Sequence, residues 1–545
     1  MPTERNKTKK KGNKTKKKNM KRLFLAIISL FAIINLNAQK DIKWGERFYD
    51  VLDDCQAAEI VAQDNDGFYM WYCLQEYKGE GEFELNYYVA RSDNNLNINK
   101  IVKIEFPHPT FKIEQTWRAG DCVGFILSRT VEDKPVQTKK SSRKKEEPEK
   151  SGTANLYTQF FHLRDMRLMD KPEKFKSFRY FAKEGEKPYL FNFSENKTKL
   201  AFCFFEKDTA GAKAAQIEIF DERMRLLWER KHRLNISNPQ YQIHDISVNN
   251  EGTETLLAIR SYTTGKKIQH TDSKLHLIWL TQYEQRQHDQ QIEKAWPTDL
   301  KCAFNLEGDY LIAGYYGKNS DKPKLAQGSF AYQYDQRRGY LKNSSTREFK
   351  EYETDEMVKE GLPKPSDQVA KVKALVPMIG SNLVMIGEQE FKSTIIPPKR
   401  RDEKPTGEDA MYYRDLIITN IDKHGTVTSN AYVPKRQKDF EGKECYNSFA
   451  MTRDRYGVYI MFNDHIKNYD NNAFTPVKCY NGDKMRTQVN FVQVFSDGSF
   501  RWSKAFDTKQ MKMPFFKTLY LTTRSKILFF SRFQDHNILG EFEIR

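Results

Sequence analysis

Eight apolar runs of four to six residues recur along the chain, and none alternates with polar residues: Phe68–Cys73, Cys122–Leu127, Leu200–Phe205, Thr255–Ile259, Tyr310–Ala313, Leu383–Ile386, Val458–Phe462 and Ile527–Phe530. A strand with one face in water alternates. A short run that does not alternate is either a strand covered on both faces or a fragment of helix. Aromatic and β-branched content favours strand, as do the turn pairs Asp66-Gly67, Ala119-Gly120, Glu307-Gly308 and Tyr456-Gly457 that precede four of the runs. The architecture must therefore sandwich eight separate strands.

Each run is followed by a second pattern: apolar, any residue, apolar, then a polar turn near an Asp, then an apolar or Trp residue. Ile217–Asp221 leading to Leu227-Trp228, and Val492–Gly498 leading to Arg501-Trp502, are the best copies; Asp93, Asp165, Asp335 and Asp422–Gly425 mark weaker ones. Asp and Gly suit such reversals because the Asp carboxylate caps turn amides and Gly accepts positive φ. Two successive hairpins make a four-stranded antiparallel blade. Blades stacked around an axis cover both faces of each inner strand. The expected fold is thus all-β, a β-propeller of eight four-stranded blades, with seven as the alternative count. The last module lacks a fourth strand, while Ile42–Phe48 matches Leu227–Arg230 and Arg501–Phe506 in placing a Trp before a basic residue. The N-terminal strand is therefore expected to complete the last blade and close the ring.

Residues 40–545 read as one propeller domain. The runs are unevenly spaced, from 54 residues between Tyr69 and Val123 to 79 between Val123 and Phe202. Bare blades need only about 40–50 residues. The excess is placed in insertions at 129–154, 261–273, 391–412 and 463–487 between second and third strands. A further one, 350–369, lies between blades, with a short helix over Tyr352–Glu360. Insertions of one loop type would put the variable segments on one rim.

The net charge of +17 points to nucleic acid until it is located. Eleven Lys and Arg lie within residues 1–39 against Glu4 alone, and elsewhere the signs are interspersed. Residues 1–38 have the order of a basic extension and secretory signal. Lys21-Arg22 precede twelve residues, Leu23–Ile34, apolar but for Ser29, and Leu36 and Ala38 stand before Gln39. Cleavage is expected after Ala38, with Met20 as the expected start and Met1 as the alternative. Twelve apolar residues are too few for a mature membrane span. The protein is expected to be exported, without a transmembrane segment and without a nucleic-acid partner. Of seven cysteines, most sit in apolar strand runs as small hydrophobes, and only Cys445 and Cys479 lie in surroundings that could pair.

Catalytic motifs are lacking. There is no G-x-S-x-G, no H-E-x-x-H and no Gly-rich phosphate loop, and His270 and His276 match no common metal spacing, so no cofactor or metal is expected. Phe495–Trp502 resembles a sialidase turn only superficially and reads as an ordinary Asp-Gly hairpin. Glu388 and Glu390 share a strand face and read as a solvated edge. Phe462–Asn472 packs Asn and Asp as a hard-cation site would, but without the required Gly, and reads as a turn.

Val433–Gln437, Ser448-Phe449 and Phe462–Asn468, with the Leu-Asn-Ala-Gln export site, resemble strings found in secreted propeller-like proteins of one Gram-negative bacterial phylum. The likeness is good over Leu383–Asp507 and loose elsewhere. It implies the fold and export and brings no activity with it. The polar members of these strings, Lys435, Gln437, Asn463, Asp464 and Asn468, are the candidate binding residues. The expected function is a non-enzymatic binding or scaffolding propeller of the periplasm or cell surface, with a protein or glycan partner. The alternative is a carbohydrate-active hydrolase with two acids about 5–10 Å apart at the central channel.

Overall fold

The computed structural model describes residues 42–48, 55–79, 82–108, 110–132, 150–182, 189–207, 213–233, 239–264, 268–292, 295–318, 325–349, 369–395, 408–438, 446–454, 456–470, 487–505, 514–523, 526–533 and 536–544. Eight separate antiparallel sheets form an eight-bladed propeller. Blade 1 comprises Cys55–Gln63, Gly67–Gly79, Glu82–Asp93 and Ile98–Ile104, and blade 2 Lys112–Ala119, Cys122–Glu132, Lys150–His162 and Arg167–Ala182. Blade 3 is Tyr189–Phe193, Lys199–Lys207, Lys213–Asp221 and Leu226–Arg233; blade 4 is Pro239–Val248, Glu254–Thr264, Ile268–Thr281 and Gln285–Gln290. Blade 5 is Trp296–Phe304, Tyr310–Gly317, Gly328–Tyr334 and Leu341–Glu348; blade 6 is Val369–Pro377, Leu383–Ile395, Glu408–Ile421 and Val427–Val433, with Gln437–Lys438 pairing beside the last. Blade 7 is Ala450–Arg453, Gly457–His465, Thr487–Phe495 and Phe500–Lys504; blade 8 is Phe515–Thr523, Lys526–Phe533 and His536–Glu543. Ile42–Trp44 supplies its fourth strand.

All eight apolar runs are second strands. Their successive residues face opposite seams: Phe202 packs with blade 2, while Ala201 and Cys203 pack with blade 4. Eight hydrophobic clusters fill the eight seams between neighbouring blades. The one that joins blade 8 to blade 1 holds Phe516, Leu528 and Phe530 against Phe68, Met70 and Tyr72. The ring is therefore closed by packing as well as by pairing. In the clasp, Ile42, Lys43 and Trp44 stand opposite Phe542, Glu541 and Gly540. Gly540 must lack a side chain, because a Cβ there would lie 2.4 Å from Phe529 and 2.9 Å from Trp44. The same segment reaches blade 1, with Lys43 Nζ donating to Asn94 O at 2.6 Å and the Glu46 amide to Asn97 Oδ1 at 2.7 Å.

The polar turns behave as their composition requires. The Asp221 carboxylate accepts from the amides of Arg223 and Arg225, and Asp93, Asp422 and Asp497 cap their own turns likewise. These turns lie between third and fourth strands and share one face of the disc with the turns between first and second strands. No connection on that face exceeds six residues. Antiparallel order puts the links between second and third strands, and those between blades, on the opposite face, where every connection of ten or more residues lies.

Three insertions are shorter than their sequence implies. Glu132 pairs with Gly152, so the first begins after residue 132 and ends before Lys150. Residues 261–273 are mostly strand, with Thr263 opposite Gln269 and Thr264 opposite Ile268. The third is narrowed to 396–407 in the same way. The expected helix over Tyr352–Glu360, the signal region, Cys445 and Cys479 all lie outside the described residues. Cys73, Cys122, Cys203 and Cys302 are buried free thiols. Among the described residues no helix is long and apolar enough to cross a membrane.

Candidate functional site

Blades 6 and 7 meet in a polar network beneath the long-connection face. After its fourth strand, blade 6 does not pass directly to blade 7. The chain turns back so that Gln437 and Lys438 pair with Tyr413 and Tyr412 at the start of the third strand. That return carries Lys435 into the interior, where both it and Glu388 are fully buried. Lys435 Nζ donates to Glu388 Oε1 at 2.5 Å and to Gln437 Oε1 at 3.1 Å. Ser448 Oγ donates to Glu388 Oε2 at 2.6 Å, and Lys373 lies 3.3 Å from the same oxygen while also pairing with Glu390. Gln437 Nε2 donates to Asn463 O at 2.6 Å. Asn463 in turn ties blade 7 to blade 8: its amide group donates to Tyr446 O and Phe515 O, and its Oδ1 accepts from the Phe515 amide. Asn468, on the helical turn Ile466–Asp470, donates to Asp464 Oδ1 at 2.7 Å.

All five candidate residues are therefore brought together, and all are buried. Glu388 corrects the reading of a solvated strand edge: it is the interior anion that Lys435 neutralises. The described part of Phe462–Asn472, up to Asp470, is likewise not a simple turn, because Asn463, Asp464 and His465 end a buried strand and a helical turn follows. Burial would push the Glu388 carboxyl up, but Lys435, Lys373 and the Ser448 hydroxyl reverse this and hold it below the ordinary glutamate range. Burial pushes the Lys435 ammonium down against the pull of Glu388. Asp464, fully buried with weaker compensation, is pushed up to about 7. Both carboxylate oxygens of Glu388 are engaged, but a buried ion pair adds little net stability because desolvating the two charges offsets much of their attraction.

The network opens on the central channel through Lys373. The channel holds a cavity of about 710 Å³ bordered by Asn192, Asp245, Lys301, Lys373, Glu195 and Arg453 among others. Glu195 of blade 3 and Arg453 of blade 7, four blades apart in a ring of eight, approach to 3.8 Å and cross the channel toward its short-turn end. Most of the described carboxylates on this lining are engaged. Asp245 accepts from the Cys302 amide at 2.8 Å and faces Lys301. Glu254 accepts from Trp279 and Gln336, and Glu307 accepts from Ser381. Among the described residues no group of three or more His, Cys, Asp or Glu is placed to hold a metal ion. Sequence reasoning missed Lys373 altogether, since it belongs to no motif, and quoted Ser448 in a string without making it a candidate residue. Only their convergence on Glu388 marks them.

No family model and no curated protein matches the chain. Among solved structures, a variant of the Synechocystis apocarotenoid oxygenase is similar at 9% identity and a TM-score of 0.32, over 86% of this chain and 97% of that one. A Trypanosoma rangeli sialidase is similar at 6% identity and a TM-score of 0.29, over 68% and 55% of the two chains. A xylan β-1,4-xylosidase from Bacillus halodurans C-125 has 8% identity and a TM-score of 0.22, over 93% and 99%. Likeness this remote carries no activity across, and the function has to be read from the residues of this chain.

Proposed function

We propose that this is an exported binding propeller that holds a protein or glycan partner at the cell envelope on its long-connection face. In this reading the chain is cleaved after Ala38 and works in the periplasm or at the cell surface. One observation carries the reading: long connections are confined to one face of the disc, and the other face has none longer than six residues. In repeat folds, insertions gathered on one face form the binding surface. The network of Glu388, Lys435, Gln437 and Asn463 lies directly beneath and fixes the blades from which two long segments, 396–407 and 466–486, depart. The channel acids Glu195, Asp245, Glu254 and Glu307 are each held by a partner, which favours binding over acid–base chemistry on a sugar.

The test is affinity capture from the protein's own envelope fraction, comparing the parent with a variant in which 396–407 and 471–486 are replaced by short Gly-Ser links. A partner retained by the parent and lost by the variant, with unchanged melting of the variant, supports the reading. A partner captured equally by both places binding elsewhere, and the proposed face fails.

A further inference from the structure

We propose that Ser261, His276 and Asp289 form a serine hydrolase centre for small carboxylic esters on the flank of blade 4. The three residues come from its second, third and fourth strands and lie on the side that faces blade 3. Ser261 Oγ stands 2.6 Å from His276 Nε2, and His276 Nδ1 stands 2.8 Å from Asp289 Oδ1. With Nδ1–H donated to the carboxylate, Nε2 is left to accept the serine proton, which is the order that nucleophile, base and orienting acid require. Partial burial would raise the Asp289 carboxyl. Hydrogen bonds from Gln287 and His276, with the nearby charge of Lys274, reverse this and keep it ionised.

The surroundings make this arrangement unusual for a mere packing contact. The same seam is filled by Ala215, Ile217, Ile259 and Ile278, and apolar residues would continue it at no polar cost. Instead the seam turns polar toward the long-connection face. Lys274 is exposed and stands directly opposite Ser261 in the strand register, on the same side of the sheet. Opposed side chains in an antiparallel pair start about 5 Å apart. The Lys274 ammonium is thus within reach of a carbonyl oxygen whose carbon is attacked by Ser261, where developing negative charge needs a donor. Ser261 and His276 are buried, and the Asp289 side chain is 49% exposed.

The chemistry closes without any further reagent than water. Ser261 Oγ bonds to the ester carbonyl carbon as its proton passes to His276 Nε2, and the carbonyl electron pair moves onto oxygen beside Lys274. Collapse breaks the carbon–alkoxy bond, and the departing alkoxide takes the proton from His276 and leaves as the alcohol. Water then attacks the acyl-serine, gives its proton to His276, and the acid departs as Ser261 recovers its proton. Asp289 is a positioning residue throughout.

The test uses the full chain, a fluorophosphonate probe and p-nitrophenyl acetate. The expected result is probe mass on the peptide that contains Ser261, absent in Ser261→Ala and His276→Ala, and ester hydrolysis at least about a hundredfold above that of Ser261→Ala. Asp289→Asn should lower kcat by about a hundredfold or more with KM little changed, a split that a structural role would not produce. Lys274→Met should lower kcat, and Lys274→Arg should restore most of it. Circular dichroism and melting of each variant establish that it folds. A folded parent that takes no probe, or one that hydrolyses the ester no faster than Ser261→Ala, overturns the proposal and leaves the three residues a structural network. Neither result bears on partner capture.

Discussion

Removing the clasp should open the ring. In Trp44→Ala, the lost contacts are those with the last blade, chiefly the edge-to-face packing on Phe529 at a ring separation of 5.4 Å. Truncating a fully buried Trp costs about 3–5 kcal/mol. Trp44 is half-buried, so about 2 kcal/mol is expected, part of it the aromatic pair at about 0.5–1.5 kcal/mol. With a denaturation slope of about 3 kcal/mol per M urea, the midpoint should fall by about 0.7 M. Deleting 42–48 should do more. It also removes the bonds from the Gly45 amide to Leu539 O and from the Phe48 amide to Asn537 O, the stacking of Phe48 on Phe530, and the links to Asn94 and Asn97 of blade 1. Urea unfolding followed by circular dichroism measures both variants. Trp502→Ala, half-buried in the fourth strand of blade 7, is the matched control and should resemble Trp44→Ala. Two N-terminal variants that unfold together with the parent would show that this strand contributes nothing to closure, and the reasoning would fail.

Breaking the interior ion pair from one side should be severe: Glu388→Gln or Lys435→Met alone is expected to cost about 3–5 kcal/mol, and the double variant should recover much of that, read from urea midpoints in a double-mutant cycle. Asp464 makes stability depend on pH. Its folded pKa, about 7, lies above the unfolded value, so its contribution is full below about pH 4 and is lost as pH rises toward 7, at up to about 1.4 kcal/mol per unit; Asp464→Asn should flatten that part of the profile, and parallel profiles for parent and variant would contradict the assignment. Gly498 has φ 81°, and a Cβ there would lie 2.2 Å from Asn420 Oδ1. Gly498→Ala should therefore destabilise by more than about 1 kcal/mol, measurable by calorimetry.

Local chemistry made the blades readable. The eight second strands are apolar on both faces because each serves two seams, and that requirement is written into consecutive residues such as Leu256 to Ile259, which divide between the clusters on either side. The Asp-led turns were readable for the same reason: a carboxylate caps amides only two to four residues away. The clasp was readable because its Trp repeats the pattern of other fourth strands.

Longer-range features were not. Residues 261–273 are rich in Thr, Lys and Ser and read as a loop, yet pairing across the hairpin carries one strand to Thr264 and starts the next at Ile268. Glu388 read as a solvated acid because its partner is 47 residues away, on a segment that folds back only after blade 6 is complete. Ser261, His276 and Asp289 sit in three strands with no motif, and only the register of two hairpins aligns them. Sequence alone determined the strands, the turns and the repeat, since each depends on neighbours a few residues apart. Tertiary structure decided burial of charge and alignment of polar groups, because both depend on which blade, and which register, lies opposite.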